Sequence, residues 1–299
     1  MRVLVSGSSG LVGQTLLPHL AAEGHEVVRL VRRPPPIGPL EIAWDPAAGR
    51  IDAAALEGID ATVHLSGESI AGGRWTAARK RRLRESRIAS TRLLAESLAR
   101  AARKPRVLVA ASATGYYGDR GDTPLDESAA AGDGFLATLC RDWEEAAAPA
   151  AGAGIRVVHL RTGVVLSGAG GALPAMLPLF RLGLGGRLGT GRQHFPWIAL
   201  DDLVRVVNFA IGNDALRGPV NAVSPSPVTN AEFTRTLAAV LRRPALLPAP
   251  AFALRLVLGG LADEGLLASQ RVLPRRLLDA GFAFRHPDLE GALRHALAR

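Results

Sequence analysis

A glycine turn set between a strand and a helix limits this chain more than any other feature. Residues Met1-Arg2-Val3-Leu4-Val5-Ser6 make a short apolar run suited to a buried strand. Gly7-Ser8-Ser9-Gly10-Leu11-Val12-Gly13 follows, and residues 14–23 carry Leu16, Leu17, Leu20 and Ala21 at helical spacing. After Gly24-His25 comes a second apolar run over 26–31. Strand, glycine turn, helix and strand form a βαβ unit, the front half of a dinucleotide-binding fold. Gly7 lets the chain leave the strand through a tight turn. Gly10 has no Cβ, so a pyrophosphate can approach the backbone, and Gly13 lets the helix pack close to the sheet. Ser9, Leu11 and Val12 belong to the same cradle, where amides at the helix start face the phosphates with the positive end of the dipole behind them. The spacing is G-x-x-G-x-x-G, one residue longer between the first two glycines than the commoner fingerprint.

The end of the second strand selects the cofactor. An NAD site places an acidic residue there to bond the ribose 2′-hydroxyl. This chain has Val31-Arg32-Arg33 instead. A carboxylate would repel a 2′-phosphate, whereas guanidinium groups grip one with paired hydrogen bonds. NADP(H) is therefore expected over NAD(H).

At 299 residues the chain can bury a large core, and 48% hydrophobic content marks it as globular. No apolar run is long enough to span a bilayer, and a strand at the N-terminus leaves no room for a signal peptide. Cys140 is the only cysteine, which excludes a disulfide framework and fits a cytoplasmic setting. The seven histidines are scattered, with no metal-ligand spacing. The formal net charge of +9 comes almost wholly from arginine, Lys80 and Lys104 being the lysines. The arginines are spread along an alanine- and leucine-rich chain with no nucleic-acid-binding module. The charge therefore reads as compositional bias rather than as a nucleic-acid partner, the one dense cluster being Arg79-Lys80-Arg81-Arg82-Leu83-Arg84. The expected partners are a small-molecule substrate and, at most, a second copy of the chain in a homodimer.

Further strands are expected at 61–68, 106–112, 156–160 and 219–222, and helices at 83–100, from 133–134 onward, at 172–182, up to 211 and at 230–241. Asp201-Asp202 should cap the helix that ends near 211, and Thr229-Asn230 should introduce the next. Residues 34–49 read as a loop or edge connection, and the proline-rich 244–250 as a surface linker. The tail reads as helices with a strand-like piece at 281–285. Alternating strands and helices predict an α/β fold: a doubly wound, parallel Rossmann sheet with helices on both faces. Ligands of such sheets bind beyond the carboxyl ends of the strands. Leu65, Ser66 and Gly67 should then lie beside the cofactor, with Glu68 facing the cleft. The loop Ala111-Ser112-Ala113-Thr114-Gly115-Tyr116-Tyr117-Gly118 ends the next strand and holds both tyrosines.

These segments, with Arg74-Trp75, Ser86-Arg87, Trp143-Glu144, Arg161-Thr162-Gly163-Val164-Val165-Leu166, the glycine-rich 183–191, Trp197-Ile198 and Leu273-Pro274-Arg275-Arg276-Leu277, carry a resemblance. The chain resembles the atypical extended short-chain dehydrogenase/reductases, and within them the YfcH-type "epimerase family", over essentially its whole length. The resemblance implies a cofactor domain over 1–222, with a substrate-lobe insertion around 168–198, and a small C-terminal domain of unknown function over 246–299. It also implies cofactor phosphate contacts from Arg82 and Arg87 on the helix flanking the cleft, and cofactor contacts from Ala111 and Val164 at strand ends.

The chain departs from the usual chemistry of such proteins. Their Tyr-x-x-x-Lys pair uses the lysine to lower the tyrosine pKa and hold the nicotinamide ribose, while the tyrosine transfers the proton. Counting back from Glu144, the lysine position holds Cys140 and the tyrosine position Leu136. The remaining acid/base candidates are Tyr116, Ser112, Thr114 and Glu68. Cys140 reads as a small buried residue rather than a nucleophile. Arg181, Arg187 and Arg192 with Trp197 suggest an anionic, nucleotide-like substrate. Two functions remain open: an NADP(H)-dependent oxidoreductase or epimerase-like enzyme, and a non-catalytic NADP(H)-binding sensor or interaction protein related to cell division.

Overall fold

The computed structural model describes residues 1–32 and 38–298. Its centre is an eight-stranded sheet. In chain order its strands are β1 (Arg2–Ser6), β2 (Glu26–Val31), β3 (Glu41–Asp45), β4 (Arg50–Ile51), β5 (Ala61–His64), β6 (Val107–Ala113), β7 (Arg156–Thr162) and β8 (Gly218–Ala222). The spatial order is β8-β7-β6-β5-β1-β2-β3-β4, and every pairing is parallel except β3 with the short edge strand β4. The chain starts in the middle, winds outward to β3, then crosses back to place β5 beside β1. The switch point therefore lies between β1 and β5, where such sheets bind ligands.

Strand alternation explains the two covered faces. Val3, Val5, Ala61, Val63, Val107 and Val109 point to one side, where helices Leu11–Ala22 and Leu200–Gly212 pack. Leu4, Leu108 and Ala110 point to the other, against Leu94, Ala95 and Leu98 of helix Ala77–Arg100. Beside the sheet, residues 164–199, helix Asn230–Leu241 and the last helix, Leu289–Leu297, share a separate core around Trp197 and Phe233. Thr229 caps helix Asn230–Leu241 through a reciprocal capping box with Glu232.

Several expectations need correction. Strand β3 falls in the stretch read as a loop; Ile42 and Trp44 are buried on its inner face. Asp201 and Asp202 sit in the first turn of their helix, and its N-cap is Ala199. Asp202 instead accepts from the backbone N–H groups of Arg285 and His286, tying the tail to that helix. Residues 281–285 form no strand. The tail's strand is Arg271–Val272, paired with Pro124–Leu125. The proline-rich segment 244–250 is no loose linker, because it lies along the glycine-rich turn through bridges Leu184–Ala245 and Leu188–Ala249. A Cβ on Gly186 would meet the carbonyl oxygen of Leu247 at 1.9 Å, so that packing needs glycine. No helix among the described residues is long and apolar enough to cross a membrane.

Candidate active site

The carboxyl end of β1 builds a cradle. Gly7 has φ +70°, and a Cβ there would lie 2.7 Å from the Leu65 carbonyl carbon at the end of β5. A Cβ on Gly13 would lie 2.4 Å from the Gly7 carbonyl oxygen. Gly10 is different: its nearest obstruction is that same oxygen at 3.4 Å, so its missing side chain leaves an open approach. Gly10 is the N-cap of helix Leu11–Ala22, and the first bond up the helix runs from Gln14 N–H to the Gly10 carbonyl. The amides of Leu11, Val12 and Gly13 consequently lie at the open helix end, where an anion would be bound. A pyrophosphate fits this cradle. Val31 ends β2, Arg32 beyond it is exposed, and Arg33 lies outside the described residues.

Below the cradle runs a buried polar chain. The Ser6 hydroxyl lies 2.6 Å from His64 Nδ1 and accepts from Leu65 N–H, while His64 Nε2 lies 3.4 Å from the Ser90 hydroxyl. Ser90 in turn donates to the carbonyl of Ser86. This order fits a neutral imidazole with its proton on Nε2. Burial pushes the His64 pKa down to about 4. The chain ties the ends of β1 and β5 to helix Ala77–Arg100.

The arginine-rich run on that helix is engaged inward as well as solvated. Arg79 is buried and paired with Glu68 at 2.5 Å, with Arg82 at 3.7 Å from the same carboxylate. Lys80 lies over the Phe135 ring at 4.9 Å, and Arg84 pairs with Asp142. Glu68 thus holds a structural ion pair at the cleft edge. Arg87 donates to the carbonyls of Leu83 and Glu68 and lies beneath Gly67. Ser66 and Leu65 are half-buried between the cradle and this helix.

On the other side of the cleft, Ser112 donates to Glu144 at 2.7 Å. Glu144 also receives two parallel bonds from Arg161, at 2.8 and 2.9 Å. Burial works against the Arg161 charge, but the bonds to Glu144 outweigh it and the net pKa shift is upward. Arg161 also donates to the Tyr117 hydroxyl, which donates to Asn221, and burial pushes the Tyr117 pKa up to about 12. The guanidinium of Arg161 lies 3.4 Å from the centre of the Tyr116 ring. Tyr116 itself is half-buried, and its hydroxyl bonds no described residue. Its loop is closely packed: a Cβ on Gly132 would lie 2.1 Å from the Tyr117 carbonyl oxygen. Thr114 is buried at the start of the same turn. Ala111 is half-buried in β6, and Val164 takes its N–H bond to Pro196 just past β7.

Cys140 is buried, and desolvation followed by the nearby Glu144 pushes its thiol up to about 12. Leu136 packs on Trp75, Leu83 and Leu261. Trp197 is 1% exposed, so it cannot stack on a substrate; only Arg181, Arg187 and Arg192 of that group are exposed. The bidentate Glu144–Arg161 pair was missed by sequence reasoning, since nothing in the spacing links residue 144 to residue 161. Glu264, which caps helix Phe135–Glu145 through Leu136 N–H at 2.7 Å, was missed for the same reason.

Three groups the sequence leaves scattered also meet. Asp201, His286 and His295 place ligand-type atoms within 4.8 Å of one another. The two imidazoles stack at 4.2 Å, and His295 Nε2 lies 2.7 Å from Asp201. The His295–Asp201 contact joins the last helix to helix Leu200–Gly212.

The profile of the "NAD dependent epimerase/dehydratase family" matches residues 3–222, about three-quarters of the sequence. The chain belongs to that family. A "Domain of unknown function (DUF1731)" matches residues 249–296. Among family members, the epimerase family protein Mb2239 of Mycobacterium bovis is 49% identical over 297 residues, covering 99% of this chain and 98% of its own. The human epimerase family protein SDR39U1 is 40% identical over 301 residues, with full coverage of both. The crystal structure of human SDR39U1 (isoform 2) with NADPH superposes with a TM-score of 0.90 at 37% identity over all of both chains. A nucleoside-diphosphate sugar epimerase from Corynebacterium glutamicum gives a TM-score of 0.83 at 41% identity, covering 99% of this chain and 58% of its own.

Proposed function

We propose that the protein binds NADP(H) and reduces a small carbonyl substrate, with Tyr116 as the proton donor. The cradle of Gly7, Gly10 and Gly13, together with Ser9, Leu11 and Val12, holds the pyrophosphate. Arg32 and Arg33 take the 2′-phosphate, and the crystallised human relative with NADPH supports that choice. Leu65, Ser66 and Gly67 line the nicotinamide side, and the ends of β6 and β7, at Ala111 and Val164, close it. When bound, NADPH supplies a hydride to the carbonyl carbon.

One observation supports the role of Tyr116: its hydroxyl is unbonded by described residues on the loop that ends β6, while Ser112 and Glu68 are engaged and the Cys140 thiol is buried. Ser112 donates to Glu144, Glu68 is paired with Arg79, and the Cys140 thiol is buried and neutral. Of the two tyrosines, only Tyr116 has a hydroxyl unbonded by described residues, and Arg161 is stacked on its ring. No lysine or carboxylate touches that hydroxyl, so nothing is placed to take its proton. It can give one to a carbonyl oxygen as the hydride arrives, leaving an alcohol. The alternative route is a water held by Ser112, Thr114 or Glu68. Reduction is then the favoured direction, and epimerisation, which needs a base to start, is disfavoured.

A screen for NADPH consumption over carbonyl substrates tests this reading. With a substrate found, Tyr116→Phe should lower kcat at least 100-fold with NADPH affinity unchanged. Unchanged turnover removes the tyrosine from the mechanism. The departure at positions 136 and 140 favours a second reading, a non-catalytic NADP(H)-binding sensor; tight NADPH binding with no turnover across the screen supports it.

A further inference from the structure

Helix Ala251–Leu258 has no buried residue, yet every position except Arg255 is apolar. A helix that is hydrophobic all round is ordinarily covered on every side. This one is covered on one side only. Leu254 and Leu258 are half-buried, and Leu258 packs against the cluster of Trp75, Leu83 and Leu261. Phe252 and Leu256, one turn apart, are 72% and 73% exposed, and Val257 beside them is 65% exposed. The apolar surface continues onto the ribbon that precedes the helix, where Leu246 and Leu247 are exposed, and onto Leu182 and Leu184 alongside. Leu184 bridges Ala245, Leu188 bridges Ala249, and a Cβ on Gly189 would lie 3.8 Å from that of Ala251, so the two segments and the helix form one continuous face. Single exposed leucines need no explanation, but a contiguous group on one lobe marks a contact surface.

The charge around this face has one sign. Residues 172–192 and 241–260 contain six arginines, all exposed, and no aspartate or glutamate. Of the six, only Arg255 is ion-paired with a described residue, Asp263 at 2.8 Å. A Cβ on Gly183 would lie 3.2 Å from the Pro244 ring, so Arg181, Arg242 and Arg243 gather at one end of the face. The matching surface must then be apolar and anionic together. A second copy is neither, because a two-fold contact through this face would set its arginines against themselves with no carboxylate between them. An anionic bilayer is both: the acyl boundary takes the apolar side chains, and lipid phosphates accept paired hydrogen bonds from the guanidinium groups.

We propose that helix Ala251–Leu258 and the leucines beside it dock the protein on an anionic membrane surface, lying in the interface without crossing it. Phe252, Leu256 and Val257 enter the headgroup boundary, and Arg181, Arg242 and Arg243 hold lipid phosphates. The attachment is reversible, since about two turns of helix bury too little apolar surface for permanent anchoring. It stands apart from the NADP(H) reading, because no residue of the glycine cradle takes part.

The experiment sediments the full chain with vesicles of phosphatidylcholine alone and with vesicles containing about one-third phosphatidylglycerol. The anionic vesicles should bind at least tenfold more tightly, and that binding should fall as salt rises toward about 0.5 M. Phe252→Ser combined with Leu256→Ser should weaken it at least tenfold with Tm unchanged, since both side chains already face water. Arg242→Gln combined with Arg243→Gln should weaken it about tenfold and flatten its salt dependence. No binding to the anionic vesicles, which would leave the face to a protein, overturns the proposal, as does equal binding to both kinds of vesicle. Binding that survives the Phe252→Ser and Leu256→Ser pair overturns it too, because the apolar face would not be the contact. A lipid-free dimer that the same pair dissociates would give the face to a second copy and also overturn it.

Discussion

The Cβ that Gly13 lacks would sit 2.4 Å from the carbonyl oxygen of Gly7. Helix Leu11–Ala22 therefore touches the β1 turn backbone to backbone, and neither partner can yield. Gly13→Ala should cost about 2–3 kcal/mol in urea unfolding, the range for overpacking a rigid contact. Gly10→Ala should cost only about 1 kcal/mol, as a poorer N-cap, yet weaken NADPH at least tenfold. Equal stability losses in the two variants would refute the distinction.

Cofactor preference should follow charge at the end of β2. Replacing both Arg32 and Arg33 with alanine should remove most of the preference for NADPH over NADH, on the order of 2–3 kcal/mol from charge-assisted bonds. Equal affinity of the unmodified protein for both cofactors would sink the assignment.

Stability should fall in mild acid because of His64. The unfolded imidazole titrates near 6.5 and the buried one at about 4, so between those values the unfolded chain binds the extra proton. Unfolding free energy therefore rises with pH across that window, and going down through it costs about 3 kcal/mol. His64→Gln should flatten the profile between pH 4 and 6.5; an unchanged slope would assign it to other groups.

Glu144 should matter more to the fold than to proton transfer. Glu144→Ala strands Arg161, which is almost fully buried, and should cost about 3 kcal/mol. Glu144→Gln keeps an acceptor for Ser112 and should cost less. A loss under 1 kcal/mol for the alanine variant would mean that water replaces the carboxylate.

Cys140 should be inert. With its pKa at about 12, almost no thiolate exists at pH 8, and iodoacetamide should leave the folded protein unmodified while labelling it in urea. Cys140→Ala should keep any turnover within about tenfold, roughly 1.4 kcal/mol. Rapid labelling of the folded protein would show an activated thiol.

Local features were the legible ones. The Gly7–Gly13 turn, the Thr229 cap and the buried strands around Val63 and Val109 are each written within a few neighbouring residues. Strand β3 was missed because its apolar alternation, Leu40, Ile42 and Trp44, is short and follows directly on a proline- and glycine-rich stretch. The strand read at 281–285 was an alternation of Phe282 and Phe284, which instead stack edge to face at 4.9 Å in an irregular segment. Pairings such as Glu144 with Arg161, Arg79 with Glu68 and Leu136 N–H with Glu264 join residues on different elements. No spacing rule encodes them, and they decide which side chains at the site remain available.

The two residue pairs that join Arg271–Val272 to Pro124–Leu125 are accompanied by further ties, Ser269 to Asp119 and Gly121, and Asn221 to Leu273. All of them span long stretches of chain, Ser269 and Asp119 being 150 positions apart. The loop that carries Tyr116 is thus buttressed by a segment far downstream of it in the chain. During translation the central strands can pair as they emerge, since their contacts lie upstream. The Tyr116 loop must wait for the segment around 269–273 to clear the ribosome, so the nascent protein acquires its nucleotide cradle well before that loop is held in place.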